Sequence, residues 1–115
     1  MNLFVGIGNL TRDPEMKYTS QGKAYTKFTI AIDSSRKDDG PLFVDCTTWE
    51  KQAETAAEYL RKGNKCAVTG EIRMDSWEDP TGAKRTKWYC NVRHVEFLTP
   101  PQRGERQGPE GGLPF

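Results

Sequence analysis

Very little in this sequence supports a membrane span, a disulfide framework or a metal centre. No apolar run approaches the roughly 18 residues that a spanning helix needs, and mean hydropathy is −0.79. Met1 to Gly6 carry neither a basic segment nor a long apolar stretch, so no secretory leader is expected. Cysteine is scarce: the three present cannot all pair within one chain, none forms a C-x-x-C, and none lies beside the single histidine, His94. A disulfide scaffold and a zinc module are therefore both excluded as expectations, and a reducing compartment, the cytoplasm, is the simplest setting. Charge of one sign is missing as well. Seventeen basic residues face sixteen acidic ones for a net charge of +1, so no global field gathers polyanions. Any nucleic acid would have to be held by a local surface. At 115 residues there is room for one domain.

What is present reads mostly as β-strand. Residues 1–98 form one continuous unit. After Leu98 the composition shifts to four prolines and four glycines in 99–115, a flexible tail that cannot bury enough apolar surface to offset its ordering entropy. A first run, Asn2 to Leu10, is rich in Val, Ile and Phe and stops in the turn-forming stretch Gly8 to Pro14. A second, Lys23 to Asp33, alternates, with Thr26, Phe28, Ile30 and Ile32 on one face and Lys23, Tyr25, Lys27 and Thr29 on the other. A third, Leu42 to Trp49, sets Val44, Cys46 and Thr48 against Phe43, Asp45, Thr47 and Trp49. Ala53, Ala56, Ala57 and Leu60 then make a narrow helical stripe over Gln52–Arg61, with Gly63 placed as a C-cap glycine. A fourth strand, Lys65 to Trp77, points Cys66, Val68, Ile72 and Met74 inward. A hairpin turn at Asp79-Pro80-Thr81-Gly82 leads to a fifth, Lys84 to Leu98, with Trp88, Cys90 and Val92 inward. Five strands with one helix between the third and fourth is the element order of an OB-fold, a five-stranded Greek-key barrel; another small capped barrel has the same count.

The pattern with chemical content is aromatic rings on polar strand faces, interleaved with cations. Phe43 and Trp49 share a face with Asp45 and Thr47, Trp77 shares one with Arg73, and Lys23, Tyr25 and Lys27 form a similar group. Lys84, Arg85 and Lys87 crowd the far arm of the hairpin. Flat exposed rings stack on bases while neighbouring cations hold phosphates, which binds single strands without sequence readout. The same spacing also fits core or interface aromatics and solvated lysines. Other chemistry finds less support. Of Asp33, Asp38, Asp39 and Asp45, three lie in or beside a loop with no further carboxylates at a fixed spacing, and they read as a solvated acidic loop rather than a magnesium site. His94 has no Ser, Cys or Asp partner at a useful spacing, so no catalytic residue is expected. Gly6 and Gly8 precede no helix and mark a strand bend or a close backbone approach rather than a phosphate loop. Cys46, Cys66 and Cys90 read as small core residues. No cofactor is implied.

Four segments, Gly8 to Glu15, Glu58 to Gly63, Gly70 to Arg73 and Val95 to Leu98, together with the final Pro114-Phe115, resemble the bacterial-type single-stranded DNA-binding proteins. The resemblance covers Asn2 to about Leu98. It implies an OB-fold that assembles as a homotetramer, wraps single-stranded DNA without enzymatic activity, and serves replication, recombination and repair in the cytoplasm, at the nucleoid. It places Phe43, Trp49 and Trp77 at base-stacking positions, Phe43 where tryptophan is more frequent. Lys51, Lys62 and Arg73 stand at phosphate-contacting positions; Lys23, Lys27, Arg36, Lys84, Arg85 and Lys87 complete the cations expected to meet the strand. Asp45 and Asp75 occupy positions that are basic in some members. The family usually ends in a run of aspartates before an apolar tip; here Glu110 is the only acid near Leu113, Pro114 and Phe115, the residues expected to recruit partner proteins. The competing reading is an OB-fold interaction module of the primosome-accessory type, which would have no need of rings flanked by cations on several strands.

Overall fold

The computed structural model describes residues 1–36 and 38–99, and in them the alternation becomes six strands and one helix. β1 (Phe4–Leu10), β2 (Glu15–Tyr18), β3 (Ala24–Ile32) and β4 (Leu42–Trp49) lead to α1 (Glu50–Tyr59), and β5 (Lys65–Glu78) and β6 (Lys84–Phe97) follow it. The sheet runs β1-β5-β6-β4-β3-β2, and β1 also pairs with β3, which closes five strands into a ring with β2 outside it. This is the OB-fold. All pairings are antiparallel except β4 with β6, whose Cys46 and Thr47 lie opposite Cys90 and Asn91; the helix and β5 between them supply the crossover that a parallel pair requires. β1 serves two neighbours by changing partner near Asn9. Gly8 permits the crossing, since a Cβ there would sit 2.5 Å from the Ala31 carbonyl oxygen, in agreement with the close backbone approach expected of it.

The ring is filled by the inward face of each strand. Phe28, Ile30, Cys46, Cys66, Val68 and Cys90 form the buried core, and Ala56 and Leu60 of the helical segment close one end. Two buried hydroxyls are satisfied: Thr26 donates to the Ala53 carbonyl at 2.7 Å, and Thr48 to the Thr26 carbonyl at 3.2 Å. These bonds tie α1 to β3 and β3 to β4 at negligible desolvation cost. The thiols pack as expected of core residues. Burial pushes Cys66 up to about 11, and the hydrogen-bonded neighbour Cys90 together with burial pushes Cys46 up, so neither ionises at neutral pH.

Four expectations need correction. The helix is shifted two residues towards the N-terminus of the expected span, and it ends on Leu60, whose N–H reaches the Ala56 carbonyl. Gly63, at φ 87°, lies beyond that cap, in the turn closed by the Asn64 N–H on the Arg61 carbonyl. Six strands stand where five were expected: the extra one is β2, which follows the turn-forming stretch ending at Pro14, and all four of its side chains are exposed, so it has no apolar alternation to betray it. Met74 and Trp88 keep their inward parity yet are 49% and 63% exposed, because β5 and β6 continue as a two-stranded arm past the ring, where no opposite layer covers them. Conversely, the mixed parity of β1 has a visible consequence: Leu3, Val5 and Ile7 leave an apolar stripe on the outer surface. No helix among the described residues is long and apolar enough to cross a membrane. The expected tail tip, Leu113, Pro114 and Phe115, lies outside the described residues.

Candidate nucleic-acid interface

Because successive strand residues point to opposite faces, every residue that alternates with the core points outward. β3 contributes Tyr25, Lys27 and Thr29; β4 contributes Phe43, Asp45, Thr47 and Trp49. Register aligns them into rows: Tyr25 is opposite Trp49 and Lys27 opposite Thr47, and Thr47 is opposite Asn91. On the arm, Tyr89 faces Arg73, Lys87 faces Asp75 and Arg85 faces Trp77. The outer surface of β3, β4, β6 and β5 is thus one polar field studded with rings.

Trp49 is the best positioned of these rings. It ends β4 and stands at the N-cap of α1 with extended backbone (φ −128°, ψ 147°), where it makes no side-chain cap. The next residue, Glu50, reverses the chain in the left-handed region at φ 56°. Serine, threonine, aspartate or asparagine would cap this helix better by about 1 kcal/mol, so the indole occupies a place that local stability does not favour. Its Nε1 donates to Asn91 Oδ1 at 2.9 Å, and its ring meets Tyr25 at 5.5 Å between centroids with a 36° tilt. The Lys27 ammonium lies 5.9 Å from the Tyr25 centroid. Held from both sides, Trp49 remains 38% exposed. Tyr25, Lys27, Trp49, Asp75, Lys87 and Tyr89 surround an open hollow of about 370 Å³, at the lower end of the range for small-molecule sites.

Phe43 and Trp77 are exposed on the same outward parity, on β4 and towards the arm tip. The cations divide into two groups. Arg36 lies 3.7 Å from Asp39 in the loop after β3, Arg73 donates to Glu71 at 2.7 Å, Arg85 to Asp79 at 2.8 Å, and Lys87 lies 3.0 Å from Asp45. Lys23 approaches Glu50 only to 3.9 Å. Lys27, Lys51, Lys62 and Lys84 have no acidic partner within 4.0 Å among the described residues. Of the expected site residues, only Lys27, Trp49 and Lys87 line the hollow. Arg36 is in a loop, Lys51 lies in the first turn of α1, and Lys62 is anchored through its backbone N–H, which donates to Asp13 at 2.8 Å.

The acids answer these cations. Burial raises the Asp45 carboxyl, but the Thr29 hydroxyl, donating at 2.6 Å, and Lys87 outweigh it and hold the carboxyl below its usual range. Arg73, and then Arg93, lower Glu71; the Thr81 hydroxyl and Arg85 lower Asp79. His94 is on the exposed surface, its Nε2 lying 3.1 Å from Glu96 Oε1. Among the described residues no three His, Cys, Asp or Glu side chains gather as a metal site. Tyr89 and Asn91 were absent from the expected site; their shared parity with Lys87 was the available signal.

Comparison with known proteins places these features in context. Residues 1–98 match the Single-strand binding protein family. The Single-stranded DNA-binding protein of Fusobacterium nucleatum is 40% identical over 103 residues, covering 84% of this chain and 66% of that protein. Its counterpart in Clostridium perfringens is 36% identical over 107 residues, 92% of this chain and 71% of the relative. Single-stranded DNA-binding protein 1 of a Nostoc species is 33% identical over 113 residues, 97% and 91% of the two chains. The chain spans just under two thirds of the length of the Fusobacterium relative and 62% of that of the Single-stranded DNA-binding protein of Halalkalibacterium halodurans.

Proposed function

This chain belongs to the single-strand binding protein family, and on that premise we propose that it binds single-stranded DNA without catalysis and with little sequence preference, protecting the strand during replication, recombination and repair in the cytoplasm. The observation that carries the proposal is the Trp49 platform: an indole fixed by Asn91 and Tyr25, presented on a strand face beside lysines. Bases stack on Trp49, on Phe43 and on Trp77 at the arm, each contact contributing about 1–3 kcal/mol. Lys27, Lys51, Lys62 and Lys84 meet phosphates directly. Lys23, Arg36, Arg73, Arg85 and Lys87 exchange a carboxylate for a phosphate, which gains less because the acid left behind repels the strand.

The exposed stripe of Leu3, Val5 and Ile7 supports self-association through the outer surface of β1, in the homotetramer that the family resemblance implies. The Leu113, Pro114 and Phe115 tip is assigned the capture of replication and repair proteins, a terminal ring and carboxylate being a compact ligand.

Titration with oligo(dT), followed by tryptophan emission, tests the central reading. Quenching is expected, with affinity lowered by about 1–3 kcal/mol in Trp49→Ala and in Trp77→Ala, and duplex DNA should compete poorly because its bases are already stacked. Unchanged emission at micromolar protein would refute stacking.

A further inference from the structure

The hollow beside Trp49 contains one group that a non-specific binder of a polyanion should not carry. Asp75 lines it, yet among the described residues this carboxylate has no hydrogen bond or ion pair. The cation opposite it in register, Lys87, is engaged 3.0 Å away with Asp45. A free carboxylate on a surface that receives phosphates costs affinity unless the ligand brings N–H groups to it. In single-stranded DNA the only N–H groups belong to the bases.

The bases are not equivalent as donors. Guanine presents N1–H and the N2 amine side by side, matching the two oxygens of a carboxylate in a bidentate, charge-assisted pair. Cytosine and adenine each present one exocyclic amine next to a ring acceptor that a carboxylate repels. Thymine has a single N3–H flanked by two carbonyl oxygens. The remaining walls suit a purine as well. Tyr25, Trp49 and Tyr89 supply aromatic faces, and Lys27 supplies a donor of the kind that pairs with guanine O6 and N7.

We propose that the hollow bounded by Tyr25, Trp49 and Tyr89 seats one unstacked base of the bound strand and that Asp75 makes it a guanine-preferring subsite. The proposal rests on the single-strand reading above and adds to it one position of sequence preference within an otherwise tolerant track. Asp75 is a specificity-determining residue whose cost in thymine-rich strands is recovered where a guanine enters the hollow.

The test compares short oligo(dT) strands with otherwise identical strands carrying one dG or one deoxyinosine at each position in turn; a single guanine cannot form a quadruplex. At the favoured position dG should tighten binding about tenfold, the lower end of what hydrogen bonds to a charged group supply. Deoxyinosine, lacking the N2 amine, should lose most of that gain. Asp75→Ala should level dG with dT while binding oligo(dT) at least as tightly as the native chain. Equal affinity for dG and dT strands in the native protein, or a guanine preference that persists in Asp75→Ala, overturns the subsite while leaving the single-strand reading standing. Failure of every strand to bind, oligo(dT) included, overturns both.

Discussion

Asp45→Asn isolates the electrostatics of this surface, because one carboxylate there restrains one lysine. Asp45 accepts from the Thr29 hydroxyl at 2.6 Å on one oxygen and holds the Lys87 ammonium at 3.0 Å on the other. Asparagine keeps an acceptor for Thr29 and loses only the charge. The pair is 56% and 39% exposed at Lys87 and Asp45, so screening limits its worth to about 0–1 kcal/mol and folding should weaken by no more than that. Binding should move the other way. Freeing Lys87 for a phosphate adds one neutralised charge, steepening the plot of log affinity against log salt by about 0.7. The variant's affinity should therefore fall about 2.6-fold more than the native protein's between 50 and 200 mM salt. At low salt it should bind oligo(dT) about 2–5-fold more tightly, equivalent to the upper half of an exposed ion pair's worth. The double variant Asp45→Asn, Lys87→Ala should bring the slope back, since the gain acts through Lys87. pH supplies an independent check. The Asp45 carboxyl lies below its usual range in the folded chain, so its contribution to stability is complete above the unfolded value near about 3.9 and is lost as pH falls through the folded one. Asp45→Asn should therefore flatten the acid limb of the stability profile and leave neutral pH nearly unchanged. A folded Asp45→Asn protein with the native salt slope would refute the claim that Asp45 withholds Lys87 from the strand.

Other perturbations separate the fold, the assembly and the tail. Gly70 sits at the irregularity where β5 shifts register against β6, and a Cβ there would meet the Asn91 carbonyl oxygen; Gly70→Ala should cost about 1–3 kcal/mol, read as a thermal midpoint lower by about 4–8 °C per kcal/mol. Val5→Glu puts a charge in the middle of the exposed β1 stripe, and light scattering should then show a mass about one quarter of the native assembly's; an unchanged mass would place the subunit contact elsewhere. Removing residues 113–115 should leave oligo(dT) affinity unchanged while abolishing capture of replication and repair enzymes, and retention of those enzymes would deny the tip its role. With four unpaired lysines meeting phosphates, the native salt slope should be about −3, and a slope near zero would remove them from the interface.

The legible parts of this molecule are those where one physical cause acts over a few residues. β3 and β4 could be read because half-buried strands impose period two, and Phe28, Ile30 and Cys46 declare the inner face by themselves. β2 could not, since a fully exposed strand pays no penalty for any pattern, and its place comes from pairing with β3. Trp88 misled for a related reason: parity assigns a side of the sheet, whereas burial needs a layer opposite, and whether the arm outruns the ring is decided by the lengths of the other strands. The candidate site divides along the same line. That Trp49 and Lys27 face outward follows from their own strands. That Tyr25 braces Trp49 depends on the β3–β4 register, and that Asn91 fixes its indole and Lys87 is drawn to Asp45 depends on the parallel contact of β4 with β6, made only when the barrel closes. Barrel closure brings together residues some forty positions apart, so the sequence announces which side chains are on the surface while the ring decides which of them restrain one another. Among the described residues, that pairing leaves four of the nine expected cations, all lysines, without an acidic partner and sets five beside one.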